Sequence, residues 1–240
     1  MIVLHCAILL VFAAVHLLVP RVLQASSQPR SAWLSFAGGA AIAFFFLHLL
    51  PELATIQQGI RETEGFLPWL DQHSYLLALV GLVGFYFLEA ATRSEKGEEP
   101  KAGFFAVHLS LLAFYNFLIG FLLMDVGHDE WLSALVYALA MGFHLLTNDY
   151  DLAADFPTRY TAVGRWVLAL MPGAGYGLAT VVGASAPFAL LALAFVIGGG
   201  ILIIFKEELP SEKESRFGPF AGGALLFALL LLFLHQGGGH

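Results

Sequence analysis

Charge is what this chain has least of. Only 12% of its 240 residues are Asp, Glu, Lys or Arg, about half the share usual in a soluble domain. Hydrophobic residues make up 59%, and mean hydropathy is +0.79. A composition so poor in charge leaves no stretch from which a soluble domain is expected. Cysteine is nearly absent: Cys6 stands alone, so no internal disulfide and no Cys-based metal motif can form. Eleven basic residues face 18 acidic ones, a formal net charge of -7. No basic stripe exists, which excludes nucleic acid as a partner. Residues 1–19 lack both a basic n-region and an Ala-x-Ala cleavage signal, so they read as a retained first helix and not as a signal peptide.

Long apolar runs are what the chain does have, each near the roughly 20 residues a helix needs to cross a bilayer. They predict an all-α integral membrane protein, one domain over 1–240, with eight transmembrane helices. The expected spans are roughly 2–19, 32–53, 74–91, 104–125, 131–152, 164–183, 186–205 and 218–235. Short polar or Pro/Gly-bearing connectors separate them, the most charged being RSEKGEEPK at 93–101. With the N-terminus outside, ten basic residues fall on inner connectors: Arg21, Arg30, Arg93, Lys96, Lys101, Arg159, Arg165, Lys206, Lys213 and Arg216. Only Arg61 falls outside. That bias obeys the positive-inside rule and places both termini outside. The outer connector after the fourth span carries Asp125, His128, Asp129 and Glu130 with no Lys or Arg. An acidic mouth of this kind concentrates cations, though an ordinary solvated loop accounts for it as well.

Two neighbouring spans interrupt their apolar character. The fourth carries YNFLIG at 115–120, with Tyr115 and Asn116 near mid-depth, and the fifth carries HLLTNDYD at 144–151. Amides, imidazoles and carboxylates in lipid cost free energy unless they face protein, water or an ion, so each marks a candidate site. His144, Asn148 and Asp151 are four and then three positions apart and share one helical face. If the two helices pack together, their polar groups converge where something polar could cross. Elsewhere the spans are glycine-rich: Gly38 and Gly39, Gly173, Gly175 and Gly177, Gly198, Gly199 and Gly200, Gly222 and Gly223. Small residues let helices approach closely in lipid, and these read as packing devices. Pro172, inside the sixth span, removes a backbone hydrogen bond and predicts a kink. A weak echo links GGAAIAFFFLHLLPEL from Gly38 with GGGILIIFKEELP from Gly198. Those spans cross in opposite directions, as inverted repeats do.

Several stretches together resemble the ZIP (Zrt/Irt-like) family of divalent metal transporters. The string HLLPE at 48–52 resembles the end of the family's second helix, and GGGILIIFKEELPSEK from Gly198 with GPFAGGALLFALLLL from Gly218 its closing helices. YNFLIG lines up with the family's His-Asn-x-x-Asp-Gly motif, which puts the family's His on Tyr115, its Asn on Asn116 and its Asp on Ile119. HLLTND lines up with His-Glu-x-Pro-His-Glu. There the first His is His144, the Glu becomes Leu145, the Pro Thr147, the second His Asn148 and the last Glu Asp149. The family's His-rich inner loop has no counterpart in RSEKGEEPK. The resemblance implies a ZIP-like bundle that moves a divalent cation inward by alternating access, the ion being a transported ligand and no permanent cofactor being expected. It implies metal ligands at Asn116, His144 and Asn148, with Tyr115, Asp149 and Asp151 beside them and His48 and Glu52 gathering ions at the entrance.

The substitutions change the chemistry. Zinc prefers imidazole, thiolate and carboxylate, whereas amide oxygens are weaker donors better suited to harder ions. Tyr115, Asn116, His144 and Asn148 bring no negative charge, so one site aided by Asp149 or Asp151 is expected, and not two. Zinc is the default cargo; manganese and iron stay open. Blander accounts stand beside each residue. His144, Asn116 and Asn148 could simply hydrogen-bond between packed helices, with Asp149 and Asp151 out at the inner surface. His48 and Glu52 could be a solvated interfacial pair. Glu89 is expected to reach the headgroups, and His5, His16 and His108 read as packing residues. Two other functions remain open: a family member that has lost transport and serves as a regulatory or structural subunit, or an intramembrane metal-dependent hydrolase. The hydrolase would need His48, His108 and His144 at one depth with an activated water. The expected partners are the lipid bilayer and the cation; a homodimer is left open. Short connectors lean toward a prokaryotic inner membrane.

Overall fold

In the computed structural model the described residues are 1–25, 32–51, 53–54, 74–92, 102–124, 131–183, 187–203 and 217–237. Every regular element among them is helical. The connectors 26–31, 55–73, 93–101, 125–130 and 204–216, together with Glu52, lie outside the described residues, and so does the acidic mouth. The helices are α1 (Ile2–Ala25), α2 (Ala32–Phe44), α3 (Ser74–Thr92), α4 (Ala102–Leu122), α5 (Trp131–Asp155), α6 (Arg165–Val182), α7 (Pro187–Ile203) and α8 (Phe217–Gly237). Two wide turns extend them. Phe45–Leu49 continues α2, with Leu50 N–H donating to the Phe45 carbonyl five residues back. Tyr160–Gly164 precedes α6, with Arg165 N–H donating to Tyr160. Wide turns of this kind break the regular ladder and re-aim side chains.

Among the described residues three elements are long and apolar enough to cross a membrane: Ile2–Arg21, Gly103–Leu122 and Trp131–Asp155. Shorter apolar helices cover Ser35–Leu49, Tyr75–Phe87, Leu193–Leu202 and Phe217–Phe233. Among the described residues, Pro20 in α1 and Pro172 in α6 lie in helix interiors. Each removes one N–H from the ladder, yet both helices continue as single elements. Thus α1 extends past the expected end at 19, and α5 runs past 152 to Asp155.

The closest helix pairs are nested: α2 with α8, α3 with α7, and α4 with α6. Each has one glycine from either side at its crossing. A Cβ at Gly39 would strike the Phe220 carbonyl, and one at Gly223 the Phe36 carbonyl. Gly81 and Gly198 meet Phe195 and Ala78 in the same reciprocal way, and Gly120 and Gly175 meet Pro172 and Phe117. The backbones therefore touch, a gain in dispersion that any larger residue would forfeit. Of the glycines expected to be packing devices, Gly39, Gly175, Gly198 and Gly223 hold crossings, while Gly173, Gly177 and Gly222 face open space.

Of the two remaining helices, α5 lies against α1 and α2, and α1 also packs on α6. One apolar cluster joins them, including Phe12, Phe44, Leu145, Leu152, Phe156 and Leu168. Large apolar side chains also cover the outside, among them Leu10 and Val11 on α1, Leu79, Val83 and Phe87 on α3, Leu170 and Val181 on α6, and Leu225, Leu229 and Phe233 on α8.

Candidate functional site

Besides Ser35, eight polar side chains among the described residues are buried in this apolar frame, each no more than 3% exposed: His16, Tyr115, Asn116, His144, Thr147, Asn148, Asp149 and Tyr160. They fall into two groups on different faces of α5. Consecutive residues of a helix project about 100° apart, so Asp149 cannot point where Asn148 points.

The first group joins α4 to α5. The Tyr115 hydroxyl lies 2.8 Å from His144 Nε2, and Asn148 Nδ2 lies 3.2 Å from the same nitrogen. An unprotonated Nε2 offers one lone pair, so the two neighbours share it. Thr147 hydroxyl donates to the His144 carbonyl at 2.8 Å, tying the turn that carries the imidazole. Asn116 Nδ2 donates to the Leu112 carbonyl of its own helix at 2.8 Å. That bond orients the amide, since the reversed assignment would set two oxygens against each other. Asn116 Oδ1 is left buried without a hydrogen-bond partner among the described residues, and so is Asn148 Oδ1. An orphaned buried carbonyl carries a desolvation penalty of about 1–3 kcal/mol.

The second group joins α5 to α1 and to the connector before α6. Asp149 Oδ2 lies 2.6 Å from His16 Nδ1 and accepts from the Tyr160 hydroxyl at 2.5 Å. That hydroxyl also lies 2.9 Å from the His16 carbonyl. The local sequence explains the fold-back. Phe156 leaves the helical conformation (φ -133, ψ 57) and Pro157, whose fixed φ suits a first helical position, starts a short turn, Pro157–Arg159. The wide turn then brings Tyr160 back across the end of α5. Burial first, and the neighbouring carboxylate second, raise the Tyr160 hydroxyl above its usual range, so it acts as a donor. His16 Nε2 has no partner among the described residues.

Against the sequence expectations, Tyr115, His144 and Asn148 do come together, and Asn116 lies beside Tyr115 on α4. The two helices do not meet backbone to backbone, however. Long side chains bridge them: Tyr115 to His144, and the Tyr137 hydroxyl to the Ile119 carbonyl at 2.8 Å. The placement of Asp149 at the inner surface is corrected: it is buried, because α5 continues for another turn and Tyr160 covers it. His16, expected only to pack, is its partner. Asp151 and Glu52 have side chains outside the described residues. His48 sits in the wide turn after α2, its ring 4.8 Å from that of Phe44. His108 lies edge-on to Phe156 at 6.3 Å. Among the described residues no three His, Cys, Asp or Glu side chains form a group able to hold a metal ion. Sequence reasoning missed His16 and Tyr160. The rule that flagged Asn116 applies equally to His16, but its partner stands 133 positions away; nothing local marks Tyr160.

No protein-family model matches the chain, and no curated protein sequence matches it.

Proposed function

We propose that the protein is an eight-span integral membrane transporter with both termini outside, ZIP-like in architecture, that moves a divalent cation inward by alternating access. Zinc is the default cargo, with manganese and iron as the other cations to test. Its setting is a multi-pass position in a membrane, by its short connectors a prokaryotic inner one. The observation that carries this reading is the buried polar seam on α4 and α5. Tyr115, Asn116, His144 and Asn148 are placed inside two helices apolar enough to cross a bilayer, and two of their amide oxygens lack partners. In lipid such groups are retained where they face a pathway or a bound ion. The apolar coat on α1, α3, α6 and α8 supports the membrane setting, since a surface this rich in large apolar side chains suits a lipid solvent.

A second reading, a transport-inactive structural or regulatory membrane protein, is favoured by one specific observation. The strongest metal-binding groups are engaged with each other, His144 with Tyr115 and Asn148, and Asp149 with His16 and Tyr160. Uptake of Zn²⁺, Mn²⁺ and Fe²⁺ into proteoliposomes, wild type against His144→Ala, decides between them. Transport predicts uptake that the variant reduces at least tenfold. Uptake absent for all three ions supports the second reading, and uptake indifferent to His144→Ala removes the seam as the path.

A further inference from the structure

The ion seam holds more oxygen than charge. Ser35, on α2, is buried at 1% exposure, and its hydroxyl, like Asn116 Oδ1 and Asn148 Oδ1, has no partner among the described residues. The helix registers bring these three atoms to one depth. Phe36 packs against Phe143 and Phe44 against Tyr137, so α2 runs antiparallel to α5 and Ser35 stands at the level of His144. Tyr115 meets His144 while the Ile119 carbonyl meets Tyr137, so α4 is antiparallel to α5 as well, and Asn116 stands at the level of Phe143. Asn148 is one turn from His144. Three unpartnered oxygens, one from each of α2, α4 and α5, thus belong to levels 143 to 148 of α5, a slab roughly 7.5 Å thick at about 1.5 Å per residue.

The seam's one described carboxylate does not serve this level. Asp149 projects toward α1, where His16 and Tyr160 occupy its Oδ2. What remains is two amide carbonyls and a hydroxyl, hard and uncharged. The Born cost of desolvating an ion rises with the square of its charge, so a divalent ion costs roughly four times as much as a monovalent ion of equal radius. A neutral oxygen set offsets the smaller cost far better than the larger, and oxygen ligands suit hard ions.

We infer that Ser35, Asn116 and Asn148 form a site for a monovalent alkali cation, bound beside the His144 imidazole as a co-ion of transport. The inference rests on the seam being a cation path. The imidazole is the borderline-soft ligand for the divalent cargo; the three oxygens take the alkali ion, whose binding is coupled to the same conformational cycle.

The test is equilibrium binding of ²²Na⁺, and of ⁸⁶Rb⁺ as a potassium congener, to the full chain in detergent, with choline chloride as the ionic control. Expected is saturable binding of one of the two ions, displaced by its unlabelled salt and not by choline. Ser35→Ala, Asn116→Leu and Asn148→Leu each weaken it tenfold or more. Asn116→Asp, which adds a charge, shifts competition toward Zn²⁺. Ser35→Ala removes an unpartnered hydroxyl and keeps the fold: in alkali-free buffer its Tm equals or exceeds that of the wild type, and in NaCl or KCl the wild type alone gains. No saturable binding of either ion overturns the inference, as does binding unchanged in all three variants, which would leave ordered water as the occupant of these oxygens. Divalent uptake is measured separately. Alkali binding without divalent uptake removes the transport reading and keeps the site; uptake without alkali binding does the reverse.

Discussion

Asp149 carries both of its described bonds on one oxygen, from His16 on α1 and from Tyr160 on the connector before α6. A buried carboxylate tolerates the loss of a donor poorly, because its desolvation is no longer offset. Tyr160→Phe is expected to lower stability by about 1–3 kcal/mol, read as an earlier thermal or denaturant midpoint in detergent. A double-mutant cycle with His16→Ala and Asp149→Ala checks the coupling: the double variant should lose less than the sum of the singles, by roughly 0.5–3 kcal/mol. Strict additivity would mean that the pair does not act as a unit. These residues also show what a sequence conveys at this scale. Asn116 and His144 announce themselves as polar groups in apolar runs. Asp149 does so too, but its depth depends on where α5 stops, and an extra turn beyond 152 with a tyrosine folded over it moves the carboxylate from surface to interior.

At the scale of elements, the apolar stretches were legible because a helix of about 20 such residues is the simplest way to satisfy backbone groups away from water. Which helix meets which was not. Glycine doublets and triplets promised close approach without naming the partner, and within Gly222 and Gly223 only the second lies at the crossing. Shared polar motifs on α4 and α5 left open whether the two helices pack directly. In the fold α4 gives its backbone contact to α6 through Gly120 and Gly175, and reaches α5 with Tyr115 and with the Ile119 carbonyl. This difference supports a matched experiment. Gly223→Ala sets a methyl against the Phe36 carbonyl and is expected to cost about 1–3 kcal/mol from overpacking. Gly222→Ala, one residue away and facing open space, is expected to be neutral or to stabilise by up to about 1 kcal/mol through helix propensity. Equal midpoints for the two variants would show that the α2/α8 crossing is looser than drawn.

For the whole molecule, the basic residues predict an arrangement that fusion reporters can test. A reporter active only outside the membrane should work at either terminus and fail within residues 93–101. One terminus inside and the other outside would overturn the eight-span count, and both inside would reverse the orientation. Arg159 and Arg165 flank the wide turn that carries Tyr160 to Asp149, so in this arrangement the His16–Asp149–Tyr160 group closes the inner end of the bundle, with Asn148 at nearly the same level and Asn116 deeper.

The nested order also governs how such a chain is made. Pairs α2/α8, α3/α7 and α4/α6 close from the middle outward, so the first of them available to a growing polypeptide is the last two-helix hairpin around α5, and the last is the one joining the far ends. Between α2 and α8 lie about 170 residues, which at ribosomal speed is roughly ten to thirty-five seconds. Through that interval the Phe220 carbonyl on which Gly39 packs has not yet been made, so a chain that stops before Phe217 leaves that face of α2 without its partner.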